Sequence, residues 1–129
     1  MQNSPQFVIG YYAILRADAA VVPVNPMNRS EELRHYVEDS GAAVVLAGQE
    51  LWPQVEPLLA STGLRQCVLA AYSDYIDART DLPLPDIVRA PRFSPERPEV
   101  TLWADALGAT ARPREHTAGA DHRAVRPYT

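Results

Sequence analysis

The sequence contains no lysine, because all twelve of its basic residues are arginine. A Schiff base, an acylatable amine or a lysine that clamps a phosphate therefore cannot form within this chain. The sequence also has a single cysteine, Cys67. An internal disulfide and a zinc site made of four cysteines are both excluded as a result. We expect Cys67 to be a small apolar residue on a buried strand.

Glycine and net positive charge are scarce as well. The six glycines are isolated and form no G-x-G-x-x-G phosphate-binding motif. The net charge of -4 argues against a nucleic acid or an anionic membrane surface as the partner. The longest apolar run, residues 7–15, follows no basic leader and is too short to span a bilayer. We therefore expect no transmembrane segment and a cytoplasmic protein.

No group of side chains in the sequence has the spacing of a catalytic or metal site. The three histidines form no i, i+4 pair and adjoin no nucleophile; they are His35, His116 and His122. Four acidic residues suit the surface of one helix better than an acid and base pair; they are Glu31, Glu32, Glu38 and Asp39. The residues by themselves therefore predict no catalytic group and no metal ligand.

The most informative stretch that is present runs over residues 20–46. Residues 20–24 and 42–47 are apolar runs typical of strands covered on both faces. Between them, Ser30 is a candidate helix cap and Gly41 is a candidate left-handed residue after the helix. A strand, a helix and a strand in this order predict a βαβ unit, in which the two strands are parallel.

The flanking residues add two helices and one strand. Ser4 is predicted to cap a helix over residues 5–17, in which Gly10 marks close packing against a neighbour. A further helix is predicted over residues 49–60, although Pro57 should kink it, or the helix should be short or start late. Residues 65–71 are predicted to form another parallel strand.

The whole pattern predicts an α/β fold with three layers: a mostly parallel sheet with helices on both faces. Residues 1–72 are predicted to form the βαβ-type core. Residues 73–122 are predicted to be a proline-rich, irregular excursion and linker with a short helix near residues 100–107. Residues 123–129 are predicted to form a strand at the end of the given sequence.

The sequence resembles the early part of the adenylate-forming enzymes, specifically the acyl-CoA synthetases or fatty-acid–CoA ligases. The shared features are a helix that begins Asn-Ser-Pro, an Ala-Ile-Leu-x-Ala stretch, Val-Pro-Val-Asn-Pro, a Glu-Leu helix and an Asp-Ser-Gly-Ala turn. They stand here at residues 3–5, 13–18, 22–26, 32–33 and 39–42. Asp18 occupies a position where the family usually has glycine.

The last residues of the chain resemble the start of the family's phosphate loop, Tyr-Thr-Ser-Gly-Thr-Thr-Gly-x-Pro-Lys-Gly. Tyr128 and Thr129 match its first two positions. The resemblance implies that these two residues lie at the rim of a nucleotide site, with Tyr128 contributing its backbone. They are the only candidate cofactor-binding residues.

For the full-length family, the resemblance implies an incomplete subdomain of a two-step ligase. A fatty acid or another carboxylate is first adenylated by ATP with Mg²⁺, and the thiol of CoA then displaces AMP. We expect an N-terminal piece of such an enzyme, truncated at both ends, that binds none of these cofactors tightly and is inactive in isolation. Its exposed apolar surface should favour self-association.

Two alternatives stay open from the sequence alone. The chain could be a non-catalytic α/β module that binds a partner or a nucleotide, since one scaffold serves many functions. It could also be one half of a split ligase whose other chain supplies the phosphate loop.

Overall fold

A computed structural model describes residues 1–77, 79–109 and 111–128 of the chain. Short 3₁₀ turns occur at Gln49–Leu51 and Tyr72–Tyr75. The other elements, in chain order, are α1 (Pro5–Arg16), α2 (Ser30–Ser40), β1 (Val44–Gly48), α3 (Trp52–Ser61), β2 (Gln66–Ala70), α4 (Asp86–Arg89), β3 (Val100–Leu102) and α5 (Trp103–Gly108).

The described strands form one parallel sheet in the order β1-β2-β3. Val44 of β1 pairs with Gln66 of β2, and Cys67 of β2 pairs with Val100 of β3. Helix α3 connects β1 to β2, as expected for parallel strands, which need a crossover. The predicted parallel sheet is therefore confirmed, and its βαβ unit is β1-α3-β2.

Helices cover both faces of this sheet. Val45 and Ala47 of β1 point to the core that α3 helps to form, with Leu33 and Val37 of α2 packed on its outside. The intervening Leu46 contacts α1 at Gly10, where a Cβ atom would overlap the leucine side chain. Successive residues of a strand alternate between faces, so α1 lies opposite α2 and α3. The predicted three-layer α/β class is confirmed, as is the close packing at Gly10.

The main core is a cluster of eight buried residues between the sheet and α3. Its members are less than a tenth exposed: Ala47, Trp52, Val55, Leu58, Leu59, Leu64, Cys67 and Leu69. Helix α3 contributes half of them, so burial of its apolar face is a main stabilising contribution to the fold.

The ends of α1 follow from local chemistry. The Phe7 N–H donates to Ser4 Oγ over 3.2 Å, which confirms the predicted cap. Beyond the other end, Asp18 has φ 56°, a left-handed conformation that glycine adopts at lower cost. This conformation explains why glycine suits the position in the resembling family.

Helix α2 ends as predicted but is capped differently at its start. Gly41 has φ 68°, as expected for the residue after the helix. At the N-terminus, the N–H of Arg29 donates to the Glu32 carboxylate over 2.8 Å. The Ser30 hydroxyl instead donates to the Gln54 side chain over 2.9 Å, so the prediction that Ser30 caps α2 is wrong.

The strand predicted over residues 20–24 is also absent from the sheet of the described residues. Only Val21 pairs, through a single parallel bridge to Val125. Pro23 lacks a backbone N–H and so cannot donate in a ladder, which limits this run to one bridge. The strand predicted at residues 123–129 reduces to the same bridge within its described part, and Thr129 lies outside the described residues.

The helix predicted near residues 100–107 begins three residues late. Residues 100–102 form β3, and α5 starts at Trp103. Val100 and Thr101 are β-branched and pair with β2, so tertiary pairing overrides the helical prediction there. Among the described residues, no helix is both long and apolar enough to cross a bilayer.

Candidate functional site

The C-terminal segment, residues 124–128, is held against the body of the domain by backbone hydrogen bonds. The Val21 N–H donates to the Ala124 carbonyl over 2.9 Å, and the Arg126 N–H donates to the Val21 carbonyl over 2.8 Å. The segment that carries the predicted site residue Tyr128 is therefore fixed in register to residues 20–22.

Side chains then tie this segment to the C-terminal end of α2. Arg126 Nη2 donates to Asp39 Oδ2 over 2.6 Å, and the Tyr128 hydroxyl donates to the same oxygen over 2.5 Å. The Tyr128 ring lies 4.7 Å from the Tyr36 ring, centroid to centroid, and the Arg126 guanidinium lies 5.5 Å from the Tyr128 centroid. We call Tyr36, Asp39, Arg126 and Tyr128 the Asp39 cluster.

The electrostatics of the Asp39 cluster follow from one shared oxygen. The hydrogen bond from the Tyr128 hydroxyl lowers the pKa of Asp39, and the Arg126 charge lowers this pKa further. The same hydrogen bond raises the pKa of Tyr128, since a phenol that donates to a carboxylate releases its proton reluctantly. The Tyr128 hydroxyl is thus engaged by the Asp39 carboxylate, whose charge the Arg126 guanidinium balances.

A second polar group lies where β1 and β2 end, at the sheet edge where open α/β folds bind ligands. The Tyr72 hydroxyl donates to Glu50 Oε1 over 2.7 Å and accepts from the Gln2 N–H over 2.7 Å. Gln6 Nε2 donates to the Ala71 carbonyl over 2.7 Å. Burial, together with the bond to Glu50, raises the pKa of Tyr72.

Sequence reasoning missed this second polar group. Gln6 is fully buried, and Glu50 lies two residues after the end of β1. The one available signal was the spacing of Gln6 and Gly10, which places a polar side chain one turn from a close-packed glycine on the same helix face. That spacing does not reveal the partners, because Ala71 and Tyr72 are more than sixty residues away in the chain.

The three histidines have separate surroundings in the described part of the chain. His35 is exposed on α2, His116 contacts the Asp18 carboxylate, and His122 Nδ1 accepts from the Gly119 N–H over 2.7 Å. Asp18 also accepts from the Thr117 N–H over 2.8 Å, which is the main reason that its pKa falls to about 2. Within the described ranges, no three His, Cys, Asp or Glu side chains converge closely enough to hold a metal ion.

Cys67 is not a reactive group in this fold. Its side chain is fully buried in β2, as predicted, and burial raises its pKa to about 12. The thiolate is the reactive form of cysteine, so a thiol with this pKa is inert near neutral pH.

Removal of the Asp39 carboxylate should loosen the C-terminal segment. In Asp39→Ala, we expect the Arg126 amide to exchange with solvent roughly two- to fivefold faster, since partly exposed ion pairs are weak. Glu38→Ala is the matched control, because it removes a neighbouring exposed carboxylate from the same helix. NMR measures the hydrogen exchange of the Arg126 amide in both variants. Equal rates in the two would show that the Asp39 carboxylate does not hold the C-terminal segment.

Acidification should loosen the same segment. The folded pKa of Asp39 is depressed. The stabilisation that Asp39 gives to the C-terminal segment is therefore fully present above its unfolded pKa of about 3.9. It is lost as the pH falls through the lower pKa of the folded state. We expect amide exchange at Arg126, corrected for its intrinsic pH dependence, to speed up only below about pH 4. A profile that does not change down to pH 2 would contradict this.

Comparison with known proteins identifies the group to which the chain is similar. The family model described as AMP-binding enzyme matches residues 1–129. Long-chain-fatty-acid–CoA ligases of Salmonella typhimurium and Yersinia pestis are each 32% identical, over 76 and 78 residues. These matches cover 59% and 60% of this chain and 14% of each relative.

A solved structure gives the same result. The crystal structure of a long-chain-fatty-acid-CoA ligase from Archaeoglobus fulgidus superimposes with a TM-score of 0.50 at 36% identity. The superposition covers 52% of this chain and 14% of that one. The matched part of the chain therefore corresponds to about one seventh of the length of these relatives. Since the family model spans all 129 residues, the chain belongs to the AMP-binding enzyme family.

Proposed function

We propose that the chain supplies N-terminal scaffold of an ATP-dependent fatty-acid–CoA ligase and that it does not catalyse the reaction in isolation. The observation that carries this proposal is the match of the AMP-binding family model to residues 1–129. The two bacterial relatives and the archaeal structure are named as long-chain-fatty-acid–CoA ligases, which supports this substrate class. A cytoplasmic location is part of the same proposal.

The inactivity of the isolated chain is supported by the chemistry of its residues. Ligases of this family use ATP, Mg²⁺ and CoA, and a triphosphate needs donors or cations around it. The sequence offers no lysine and no glycine-rich loop. Beside Tyr128, the Arg126 guanidinium is already paired with the Asp39 carboxylate, so the Asp39 cluster offers no uncompensated cation to a triphosphate. We accordingly assign no reaction step to this chain.

The role proposed for Tyr128 and Thr129 is to lead the backbone into a nucleotide site. Support comes from the Asp39 cluster, which holds Tyr128 by its hydroxyl and its ring and thereby constrains the direction of the chain. The two residues would act through their backbone at the rim of the site. The assignment of Thr129 depends on the resemblance alone.

The test of inactivity is a pyrophosphate-release assay with ATP, Mg²⁺ and a panel of fatty acids. We expect no release above the blank from the isolated chain, with the Salmonella typhimurium relative as the positive control. Release that depends on the fatty acid would contradict the proposal.

The test of the scaffold role is a segment exchange. The 76-residue stretch of the Salmonella typhimurium ligase that matches this chain is replaced by the residues of this chain. We expect the chimera to form acyl-CoA at a rate within roughly tenfold of the parent enzyme. The expected loss comes from the lower stability that changes at buried positions usually cause. A chimera with native circular dichroism and no activity would overturn the scaffold role.

Self-association belongs to the same proposal. Three neighbouring apolar side chains of α1 are substantially exposed: Val8 by 53%, Ile9 by 40% and Tyr12 by 67%. Exposed patches of this kind favour association. Light scattering should show oligomers, and Val8→Glu should shift them toward the monomer. A clean monomer of the unmodified chain would contradict this part.

A further inference from the structure

A cleft of about 380 Å³ opens between the N-terminal end of α1 and the chain that follows β2. Its volume lies within the range of small-molecule sites. Leu82 and Ile87 in its wall are 61% and 41% exposed, so the cleft presents uncovered apolar surface. The apolar side chains that line it are Ile76, Leu82, Leu84, Ile87 and Val88.

A buried polar side chain with an unused acceptor stands in the wall of this cleft. Gln6 is 0% exposed, and its Nε2 donates to the Ala71 carbonyl. Gln6 Oε1 has no hydrogen-bond partner among the residues that the structure describes. An unsatisfied buried acceptor costs about 1–3 kcal/mol, so a donor is missing at this position.

Two neighbouring polar side chains in the wall are engaged by other partners. The Tyr72 hydroxyl, which also lines the cleft, is committed to Glu50 and to the Gln2 N–H. Asp77 lies in the wall too, and it is an acceptor paired with Arg79 over 2.8 Å. Other polar residues in the wall are Gln2, Asn3, Ser4 and Thr80. Among the described residues none of them donates to Gln6 Oε1, and this acceptor therefore favours a head group that donates.

We propose that this cleft binds a neutral amphiphile with one hydrocarbon chain, whose head group donates a hydrogen bond to Gln6 Oε1. The chain lies along Leu82, Leu84 and Ile87, and a small movement of the wall exposes the Gln6 acceptor. A primary amide has the chemistry that the polar end requires. At about 30 Å³ for each heavy atom, the cleft holds roughly a dozen heavy atoms. The site is separate from the proposed nucleotide rim at Tyr128.

The test compares octanamide with octanoate, which has the same number of heavy atoms but no donor at neutral pH. The readout is a titration followed by ¹⁵N–¹H correlation spectra of the whole chain, without ATP or CoA. We expect octanamide to shift the amides of residues 72–77 and 82–88 and to bind about tenfold more tightly than octanoate. Equal binding of both compounds would overturn the assignment of the head group. Absence of shifts with octanamide would overturn the site.

Two matched variants locate the site independently of Gln6. Leu82→Glu places a carboxylate in the cleft, whereas Leu107→Glu makes the same change at a side chain that is 54% exposed elsewhere. We expect the first to weaken octanamide binding about tenfold or more, since a charge beside an apolar chain is costly. The second should leave binding unchanged. Equal weakening in both variants would overturn the location.

Gln6→Leu then tests the acceptor itself. It should abolish the preference for octanamide over octanoate while leaving the apolar wall in place. If this variant does not fold, the Leu82→Glu and Leu107→Glu pair still decides the site. Because no ligase assay is involved, failure of this proposal is distinguishable from failure of the scaffold role.

Discussion

Leu58→Ala should lower the free energy of unfolding by about 3 kcal/mol, the typical cost of a buried leucine in a well-packed core. Leu58 is 1% exposed and lies on α3 in the centre of the main core. The substitution removes three methyl or methine carbons from contact with the sheet and leaves a cavity that rigid neighbours cannot close completely. The total stability of a small domain is only about 5–15 kcal/mol, so this loss is a large fraction of it.

Urea unfolding followed by circular dichroism measures this effect, and Leu107→Ala is the matched control. Leu107 is 54% exposed on α5, so the same change there should cost no more than about 0.5 kcal/mol. Equal destabilisation by the two variants would show that the α3 face is not the centre of the cooperative core.

Much of the fold could be predicted because local signals and burial agree. Ser4 begins α1, and Gly41 follows α2, since each position needs one particular side chain or conformation. Residues 44–48 and 66–70 form the predicted parallel pair, because a short apolar run between turn residues has few other solutions in a chain of this size.

The wrong predictions occur where a distant partner decides the conformation. Residues 20–24 have a strand-like composition, but Pro23 allows only the bridge between Val21 and Val125. Residues 100–102 continue a helical pattern in the sequence, but β2 has a free edge that recruits them as β3. Neither outcome can be predicted from the neighbouring residues alone, because local propensity has a weaker effect on the conformation than tertiary pairing.

The candidate site could be predicted only in part, because its contacts also join residues that are distant in the chain. The resemblance drew attention to Tyr128, but it did not indicate that Asp39 and Tyr36 hold this side chain. Asp39 lies 89 residues away from Tyr128 in the chain. Gln6 was missed because it lies on a helix face that is otherwise apolar. Its hydrogen-bond partner is the backbone carbonyl of Ala71. A side chain that bonds to a remote backbone carbonyl has no sequence motif.

Pro57 presents a case in which a sequence-based expectation and the structure differ in an instructive way. The sequence predicted that this proline would kink the helix, or that the helix would be short or start late. Helix α3 does start late, at Trp52, but it runs on to Ser61 with Pro57 inside it. The helix persists because Leu58 and Leu59, the next two residues, are buried in the core. Tertiary packing thus overcomes an unfavourable local residue.

Pro57→Ala should therefore stabilise the protein by about 2 kcal/mol: alanine is about 3 kcal/mol better inside a helix, less about 1 kcal/mol for the more flexible unfolded chain. The substitution restores an N–H that can donate to the carbonyl of Pro53. Pro57 is exposed, so no cavity results. Pro53→Ala is the control, because Pro53 lies in the first turn, where its missing N–H costs nothing. Urea unfolding should give a higher midpoint for the first variant only. A lower midpoint for Pro57→Ala would mean that the backbone geometry imposed by the proline is needed to seat Leu58 and Leu59 in the core.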